Sequence, residues 1–255
     1  MKYALIGCGR ISPNHIAAAI QNELEIIAVC DIVKENMENL LSRFTYDFHQ
    51  TNRYTYYKEM ILKEQPDLVA IATESGLHAE IALFCIAHKV NVIIEKPIAM
   101  NMKDARMICE AAEKHDVVVC ANHQNRFNKS IQKIHEAMEE KRFGKLFHAA
   151  AHVRWNRNKG YYDQAKWRGT WVNDGGCLMN QCIHNADLLR WMMGDEVEEV
   201  MAYTDNLNHD YIQAEDLGLA VIKFKNGAYG LFEGTVNVYP KNLEETLYIF
   251  GSTGT

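Results

Sequence analysis

Short apolar runs alternate with helical patterns through the first part of the chain, and this alternation constrains the fold more than any other feature. Apolar strands are predicted at Lys2–Ile6, Glu25–Cys30, Leu68–Ala72, Val90–Ile94 and Val117–Ala121. An order of strand, helix, strand, helix predicts a parallel sheet with right-handed crossovers and helices on both faces. We therefore expect a doubly wound α/β domain over residues 1–122.

From Asn122 onwards the pattern changes to longer alternating runs, which predict strands with one exposed face. After a helix at Ser130–Lys141, these runs are Leu146–Trp155, Val197–Leu207, Leu217–Phe224, Tyr229–Tyr239 and Leu243–Phe250. Asn226-Gly227 stands between two of them and is a strong hairpin signal. Residues 123–255 are therefore expected to form an α+β domain around a mainly antiparallel open sheet.

Charge and cysteine content exclude several classes of protein. The net charge is −6 and the chain contains no lysine or arginine tract, so nucleic acid is not an expected partner. No apolar run is long enough to span a membrane, and the first residues do not form a secretory signal. Seven cysteines without a C-x-x-C pair fit reduced thiols in the cytoplasm. Cys177 and Cys182 lack a second ligand pair, so no metal site is expected.

The first predicted strand ends in Gly7-Cys8-Gly9-Arg10-Ile11-Ser12, which has the spacing of a dinucleotide-binding turn with serine at the third glycine position. Gly7 permits the tight turn, and Gly9 lets a pyrophosphate approach the amides at a helix N-terminus. We expect cofactor contacts from Gly7, Gly9, Arg10, Ile11 and Ser12. The alternative is that the glycines are ordinary turn residues.

Asp31 follows the second predicted strand, where such domains place an acid against the adenine ribose. A carboxylate accepts hydrogen bonds from both ribose hydroxyls and repels a 2′-phosphate, so the expected cofactor is NAD, with NADP the less favoured one. The alternative role for Asp31 is the N-cap of a helix predicted over Val33–Phe44.

Lys96 stands at the carboxyl end of a strand, between Glu95 and Pro97. Ligands of an open α/β sheet bind beyond those ends, so Lys96 is expected to face a ligand. Thr73 follows the neighbouring strand and His78 begins the next helix at the same edge. We expect Thr73, His78, Glu95 and Lys96 to contribute to the cofactor site. The alternatives are a solvated lysine and a partly buried helix histidine.

Four motifs, taken together and in this order, resemble the glucose-fructose oxidoreductase and inositol dehydrogenase (Gfo/Idh/MocA) family. They are Gly7 to Ser12, Glu95-Lys96-Pro97, Gln124-Asn125-Arg126-Phe127, and the block from Gly175 to His184. The resemblance implies a Rossmann domain followed by an open sheet whose exposed face serves oligomerisation, so a homodimer or homotetramer is expected. It also implies NAD(P)-dependent oxidation or reduction of a sugar or polyol hydroxyl.

Residue roles follow from the same resemblance. Lys96 corresponds to the catalytic lysine, His184 to the histidine of the last motif, and Gln124 is expected to contact the cofactor. The family usually has an aspartate four residues before this histidine, whereas this chain has Asn180. An amide takes no proton, so we expect His184 to serve as acid and base, with Asn180 positioning the substrate. The alternative for His184 is a packed histidine on a helix over Asn185–Met193.

Asn180-Gln181, together with Trp167-Arg168-Gly169-Thr170-Trp171, is similar to family members that act on nucleotide-linked sugars, such as UDP-N-acetylglucosaminuronate 3-dehydrogenases. Five cations between Arg154 and Arg168 stand against one acid, which suits a substrate with phosphates or a carboxylate. The expected substrate contacts are Lys96, Arg126, Arg154, Trp167, Arg168, Asn180, Gln181 and His184.

Three other functions remain open. They are oxidation of a free polyol such as inositol, NADPH-dependent reduction of a ketosugar, and non-catalytic dinucleotide sensing. The final residues, Phe250 to Thr255, resemble a turn in the middle of the family's second domain. We therefore expect the chain to be incomplete at its C-terminus.

Overall fold

The structure is a computed structural model that describes residues 1–194 and 196–255. The chain forms two compact units, Met1–Asn122 and His123–Thr255, each with its own sheet and hydrophobic core. Among the helices described, none is long and apolar enough to cross a bilayer.

The first unit is built on six strands, which are β1 (Lys2–Ile6), β2 (Glu25–Cys30), β3 (Asn52–Tyr54), β4 (Leu68–Ile71), β5 (Asn91–Glu95) and β6 (Val119–Asn122). They lie in the order β3-β2-β1-β4-β5-β6, and every neighbouring pair is parallel. The connecting helices are α1 (Ser12–Gln21), α2 (Lys34–Leu41), α3 (Tyr57–Glu64), α4 (His78–Ala87) and α5 (Met102–His115). The doubly wound parallel sheet expected from the sequence is confirmed.

Both faces of this sheet are buried, which explains the nearly continuous apolar sequences of its central strands. Leu5 packs with Ile16 on one face, and Ile71 packs with Ile86 on the other, all at 0% exposure. Burying each such side chain contributes about 1.5–3 kcal/mol to the free energy of unfolding. The sheet is therefore a rigid support for the residues at its edge.

The strand order creates a topological switch point between β1 and β4. The chain runs outward from β1 to β2 and β3, and then returns to the opposite side of β1 at β4. Loops that leave such neighbouring strands diverge and open a crevice at the carboxyl edge, where ligands of this fold class bind. Gly7 follows β1 directly and Thr73 follows β4, so both lie at this edge.

The segment that ends at Tyr54 differs from the prediction. No strand was predicted there, whereas β3 pairs with β2 through Ala28 opposite Asn52 and Cys30 opposite Tyr54. This edge strand has only three residues, and Asn52 is exposed. It contains no apolar run, which is why the hydrophobic pattern does not reveal it.

The second unit has a five-stranded sheet made of β7 (Leu146–Arg154), β8 (Val197–Asp205), β9 (Leu217–Phe224), β10 (Tyr229–Thr235) and β11 (Glu244–Gly251). The strand order is β11-β7-β10-β9-β8. Its helices are α6 (Lys129–Glu139), α7 (Lys159–Tyr162), α8 (Gly176–Asn180) and α9 (Ile183–Met193).

Three of the four neighbouring pairs in this sheet are antiparallel, as expected, and β7 pairs in parallel with β10. The predicted hairpin at Asn226-Gly227 is confirmed, since β9 and β10 pair across it and Gly227 has φ +84°. The parallel pair joins strands separated by two others in the sequence, so no local pattern predicts it.

Within residues 123–194 and 196–255, the helices of the second unit cover one face of its sheet. Leu189 and Met192 of α9 pack into the core formed with the sheet. On the opposite face Val221, Leu231 and Tyr248 are 46–48% exposed. The second unit therefore presents an apolar outer sheet face.

Candidate active site

The turn after β1 has the shape that a dinucleotide pyrophosphate requires. Gly7 has φ +93°, and a Cβ on it would lie 2.5 Å from the Ala72 carbonyl oxygen, so only glycine fits there. A Cβ on Gly9 would meet nothing within 4 Å. The turn is thus closed on its inner side and open at Gly9, where a phosphate has room to approach the backbone.

Ser12, the first residue of α1, stabilises this turn. Its side chain is fully buried, and its Oγ donates a hydrogen bond to the Gly9 carbonyl at 2.6 Å. Gly9 and Arg10 are exposed and Ile11 is half-buried. Ser12 therefore stabilises the shape of the turn. The cofactor contacts predicted for Gly7, Gly9, Arg10, Ile11 and Ser12 stay a prediction.

Asp31 lies beside the same turn, at the end of β2. One carboxylate oxygen accepts a hydrogen bond from the Cys8 amide at 2.8 Å, and the other accepts from the Val33 amide at 2.8 Å and from Asn36 at 3.1 Å. The N-cap residue of α2 is Val33, so Asp31 does not occupy the alternative position weighed for it. Its half-exposed carboxylate can still accept hydrogen bonds from a ribose.

Glu95 ends β5 and is held by two partners from distant parts of the first unit. Its Oε1 lies 2.9 Å from His15 Nε2 and accepts a hydrogen bond from Asn122 Nδ2 at 2.7 Å. Burial alone would raise the pKa of Glu95, but these bonds and the charge of Lys96 outweigh it and lower the pKa. Glu95 is therefore an ionised carboxylate beside the half-buried Lys96.

His78 holds the backbone next to Lys96. Its side chain is 1% exposed, with Nδ1 2.7 Å from the Pro97 carbonyl and Nε2 3.2 Å from the Thr73 carbonyl. Burial is the main cause that lowers the pKa of His78, so the ring is neutral near neutral pH and donates one hydrogen bond. We assign that bond to Pro97, the nearer carbonyl. Both ring nitrogens face backbone carbonyls, which supports a positioning role for His78. The cofactor contact predicted for His78 stays a prediction.

His184 lies in the first turn of α9 and is 7% exposed. Gln124 Nε2 is 3.3 Å from His184 Nε2, and the His123 ring meets the His184 ring edge-on at 5.7 Å. An amide nitrogen is only a donor, so Nε2 is the acceptor in this contact. Gln124, expected to contact the cofactor, is in this unit a partner of His184.

Asn180 and Gln181 belong to one polar network with the buried Asp174. Asn180 Nδ2 donates to Asp174 Oδ1, and Asn180 Oδ1 accepts from Gln181 Nε2 at 2.9 Å. Gln181 also donates to the Tyr161 hydroxyl at 2.9 Å and accepts from Arg157 Nε at 3.0 Å. These bonds fix the two amide side chains that sequence analysis assigns to the substrate.

The glycine pair at the start of α8 makes room for the buried carboxylate of Glu215. Gly175 and Gly176 both have positive φ, at +75° and +82°. A Cβ on Gly176 would lie 1.9 Å from the Glu215 carboxylate. Glu215 is buried, which raises its pKa, and its Oε1 accepts a hydrogen bond from the Leu178 amide at 2.9 Å. No other residue type fits at position 176 without moving Glu215.

The arginines predicted to contact the substrate fall into two groups: two are paired with carboxylates and one packs against aromatic rings. Arg154 is ion-paired with both Glu233 and Glu244, which raise its pKa. Arg126 makes a two-pronged ion pair with Asp187 at 2.7 and 2.5 Å and stacks on Trp191. The predicted substrate contacts of these two arginines stay untested, and the carboxylates give both a structural role.

Arg168 instead packs against aromatic rings. Its guanidinium carbon lies 4.2 Å from the Tyr161 ring centroid and 4.7 Å from the Trp167 ring centroid. It donates to the Tyr161 hydroxyl. Trp167 is half-buried, so its ring is partly accessible next to this cation.

Several residues of these clusters were missed by sequence reasoning. They are His15, Asn122, Tyr161, Asp174 and His209. His15 meets Glu95 across 80 positions of sequence, and no local pattern signals such a pair.

Comparison with known protein families covers nearly the whole chain. Residues 1–123 match the GFO/IDH/MocA family described as an oxidoreductase family with an NAD-binding Rossmann fold. Residues 131–255 match the GFO/IDH/MocA C-terminal domain.

Individual proteins show the same relationship. The chain is 37% identical to the WlbA dehydrogenase from Chromobacterium violaceum, solved with NADH and UDP-GlcNAcA, with a TM-score of 0.92 over 99% of this chain and 72% of that one. WlbA from Bordetella pertussis, with the same two ligands, is 35% identical at TM-score 0.92, covering 99% and 77%. Myo-inositol 2-dehydrogenase from Thermotoga maritima is 27% identical over 100% of this chain and 74% of that protein.

Proposed function

Since the chain belongs to the GFO/IDH/MocA family of oxidoreductases, we propose that it is an NAD-dependent dehydrogenase of a nucleotide-linked sugar, such as a UDP-N-acetylated uronic acid. Membership of this family supports the reaction class, which is oxidation or reduction of a sugar or polyol with a nicotinamide cofactor. The nucleotide-linked substrate is a further step, which depends on the charge of the substrate.

The first unit supplies the cofactor site in this proposal. The open backbone at Gly9 receives the pyrophosphate, and the Asp31 carboxylate receives the adenine ribose. Bound NAD+ supplies a hydride acceptor. Asp31 disfavours a 2′-phosphate, which is why NAD is preferred to NADP.

Three side chains act on the sugar in this proposal. His184 Nε2 accepts the hydroxyl proton, in place of the hydrogen bond from Gln124. Lys96 donates a hydrogen bond to the same oxygen and stabilises its developing negative charge. Asn180, fixed by Asp174 and Gln181, orients the substrate without exchanging a proton. The carbon loses its hydride to the cofactor and becomes a carbonyl.

One observation carries the choice of a nucleotide-linked sugar. Five cations lie between Arg154 and Arg168 against one acid in a chain whose net charge is −6, and beyond the ion-paired Arg154 and Lys159 the segment still carries three cations, Arg157, Lys166 and Arg168. A neutral polyol does not require such a local excess, whereas a diphosphate or a uronate does. The two WlbA dehydrogenases were solved with UDP-GlcNAcA, which carries both groups.

The second candidate function is oxidation of a free polyol. It is favoured by the similarity to myo-inositol 2-dehydrogenase over the full length of this chain. Lys96 and His184 would act in the same way on such a substrate, because the chemistry concerns only one hydroxyl and its carbon. The two candidates therefore differ in the recognition of the rest of the molecule.

Thermal unfolding and turnover of the purified chain discriminate between them. We expect NAD+ to raise the unfolding temperature more than NADP+, and UDP-GlcNAcA to raise it further, because ligands of the folded state stabilise it. We also expect NADH formation with UDP-GlcNAcA. NADH formation with myo-inositol and none with any UDP-sugar would establish the polyol function instead. A response to NAD+ without turnover of either substrate would favour a dinucleotide sensor.

We also propose that a second copy of the chain covers the outer face of the second sheet. Val221, Leu231 and Tyr248 leave an apolar surface there that a monomer would expose to water. Sedimentation should show a homodimer or homotetramer, and Leu231→Glu should shift it towards monomer. A wild-type monomer at all concentrations would exclude this assembly.

A further inference from the structure

The cations of the segment from Arg154 to Arg168 are not equivalent in the structure. Arg154 is paired with Glu233 and Glu244, and Lys159 is paired with Asp163 at 2.8 Å. Lys166 is exposed. The other two cations, Arg157 and Arg168, converge on a single aromatic ring.

That ring belongs to Tyr161. Its centroid lies 5.1 Å from the Arg157 guanidinium carbon and 4.2 Å from that of Arg168. Two like charges beside one ring repel each other, although the ring attracts each of them. An anion bound between or beside them would relieve this repulsion, which makes the pair a candidate oxyanion site.

Arg168 has donors available for such an anion. Across residues 1–194 and 196–255 no carboxylate lies within 4.0 Å of its guanidinium, and its buried Nε makes no hydrogen bond. It contacts the faces of Tyr161 and Trp167 and the Tyr161 hydroxyl. A guanidinium stacked in this way keeps in-plane N–H groups for an oxyanion.

Arg157 is held in place from two directions. Its carbonyl accepts a hydrogen bond from the buried His209, whose Nε2 lies 2.6 Å away, and its Nε donates to Gln181 at 3.0 Å. Its guanidinium also stacks on Trp155 at 4.8 Å. A side chain fixed before binding loses little conformational freedom when a ligand arrives, which favours affinity.

Gln181 connects this pair to the residues proposed to act on the sugar. It bonds Arg157 and Tyr161 on one side and Asn180 on the other. An anion at the arginines would therefore lie one side chain away from Asn180. In a nucleotide-linked uronic acid, both the diphosphate and the carboxylate are close enough to the sugar hydroxyls to meet this condition.

We propose that Arg157, Arg168 and Tyr161 form the subsite for an oxyanion of the substrate, supplied by its diphosphate or by its uronate. This inference rests on the proposed nucleotide-sugar function. It assigns the recognition of charge to two of the five cations and excludes Arg154 from it.

Calorimetric titration of the full chain tests the subsite, with UDP-GlcNAc, glucuronate and UDP-GlcNAcA as probes and NADH present throughout. Arg168→Gln should weaken UDP-GlcNAcA binding by about 10-fold or more, as expected when a charge-assisted hydrogen bond is lost. Arg168→Lys should be intermediate, since it keeps the charge and loses the planar fork. Lys166→Gln removes the same charge from an exposed neighbour and should bind as the wild type does.

The pattern across probes identifies the anion. An equal loss for UDP-GlcNAc and UDP-GlcNAcA assigns the diphosphate, and a loss confined to probes with a carboxylate assigns the uronate. The affinity of the wild type should also fall more steeply with added salt than that of Arg168→Gln.

Failure of the subsite is distinguishable from failure of the function. If the wild type binds and oxidises UDP-GlcNAcA and Arg168→Gln does so with unchanged affinity, the subsite is wrong and the function stands. If the wild type binds none of the three probes but oxidises myo-inositol, both are wrong.

Discussion

Asn180 donates its side-chain N–H to the carboxylate of Asp174, a residue that is 3% exposed. The second oxygen of Asp174 accepts a hydrogen bond from the Gly169 amide at 2.6 Å. This explains the amide at a position where the family usually has an aspartate. A carboxylate at position 180 would face the carboxylate of Asp174, whereas the amide supplies a donor to it.

We therefore expect Asn180→Asp to be less stable than the wild type by about 1–3 kcal/mol near pH 7, the usual cost of an unsatisfied buried group. Two carboxylates in one place raise the pKa of one of them. Because that folded-state pKa lies above the unfolded one, the loss should grow as the pH rises through it and shrink below about pH 4. Urea unfolding at several pH values measures this. Asn180→Ala, which removes the donor without adding charge, should lack the pH dependence, and equal profiles for both variants would contradict the explanation.

The contact between Gln124 and His184 makes a prediction about the pH dependence of turnover. Gln124→Glu would place a carboxylate 3.3 Å from Nε2, where it favours a proton on that nitrogen and raises the pKa of His184. If His184 accepts the substrate proton, the rising limb of the pH profile of kcat should move to higher pH, with turnover near pH 7 lower by about tenfold. Gln124→Leu is the neutral control and should leave the limb in place. An unmoved limb in Gln124→Glu would remove His184 from proton transfer.

Local patterns in the sequence were sufficient to predict the architecture and the positions of several candidate residues at strand ends. Glycine and proline interrupt apolar runs at Gly7 and Pro97, and these interruptions mark strand ends whose side chains a parallel sheet must present at one edge. His78 was likewise placed correctly at the start of a helix. Its contacts with the Pro97 and Thr73 carbonyls were not predictable, because they depend on packing between three loops.

The ion pairs of these arginines could not be predicted from the local sequence. Arg154 and Arg168 look alike in sequence, but the partners of Arg154 are Glu233 and Glu244, which are 79 and 90 positions away. Only the alignment of β7 between β10 and β11 brings them together. The sequence therefore predicted that this segment is cationic. The structure was needed to distinguish Arg154, which is paired with carboxylates, from Arg168, which stacks on aromatic rings.

Cofactor choice depends on Asp31 in our proposal. Asp31→Asn keeps an oxygen that can accept the Cys8 or Val33 amide, and it removes the negative charge that repels a 2′-phosphate. We expect the ratio of NAD+ to NADP+ affinity to fall by about tenfold, equivalent to about 1.4 kcal/mol. Titration with both cofactors measures the ratio. An unchanged ratio would show that Asp31 acts only in the turn.

Asp216 should control the acid stability of the second unit. It is fully buried and accepts hydrogen bonds from the backbone amides of Leu207, Asn208 and His209 and from the Asn237 side chain, and His209 Nδ1 lies 2.8 Å from it. Burial would raise its pKa, but these donors outweigh burial and lower it. A lowered folded-state pKa contributes stability above about pH 4, which is lost as the pH falls further. Asp216→Asn should cost about 1.5–3 kcal/mol near pH 7 and progressively less in acid. A constant difference across the acid range would contradict this.

Lys96 is the residue on which the proposed chemistry depends most. It follows β5 directly at the carboxyl edge of the first sheet, next to the ionised Glu95. Lys96→Met keeps a flexible chain of similar length and removes the donor and the charge. If Lys96 stabilises the reacting oxygen, turnover should fall by about 100-fold or more, while the NAD+-induced rise in unfolding temperature is retained. Lys103→Met, an exposed lysine in the first turn of α5, is the matched control and should be fully active. Because cofactor binding and turnover are measured separately, retained turnover in Lys96→Met would exclude the lysine from the reaction, and lost NAD+ binding would instead assign it to the cofactor site.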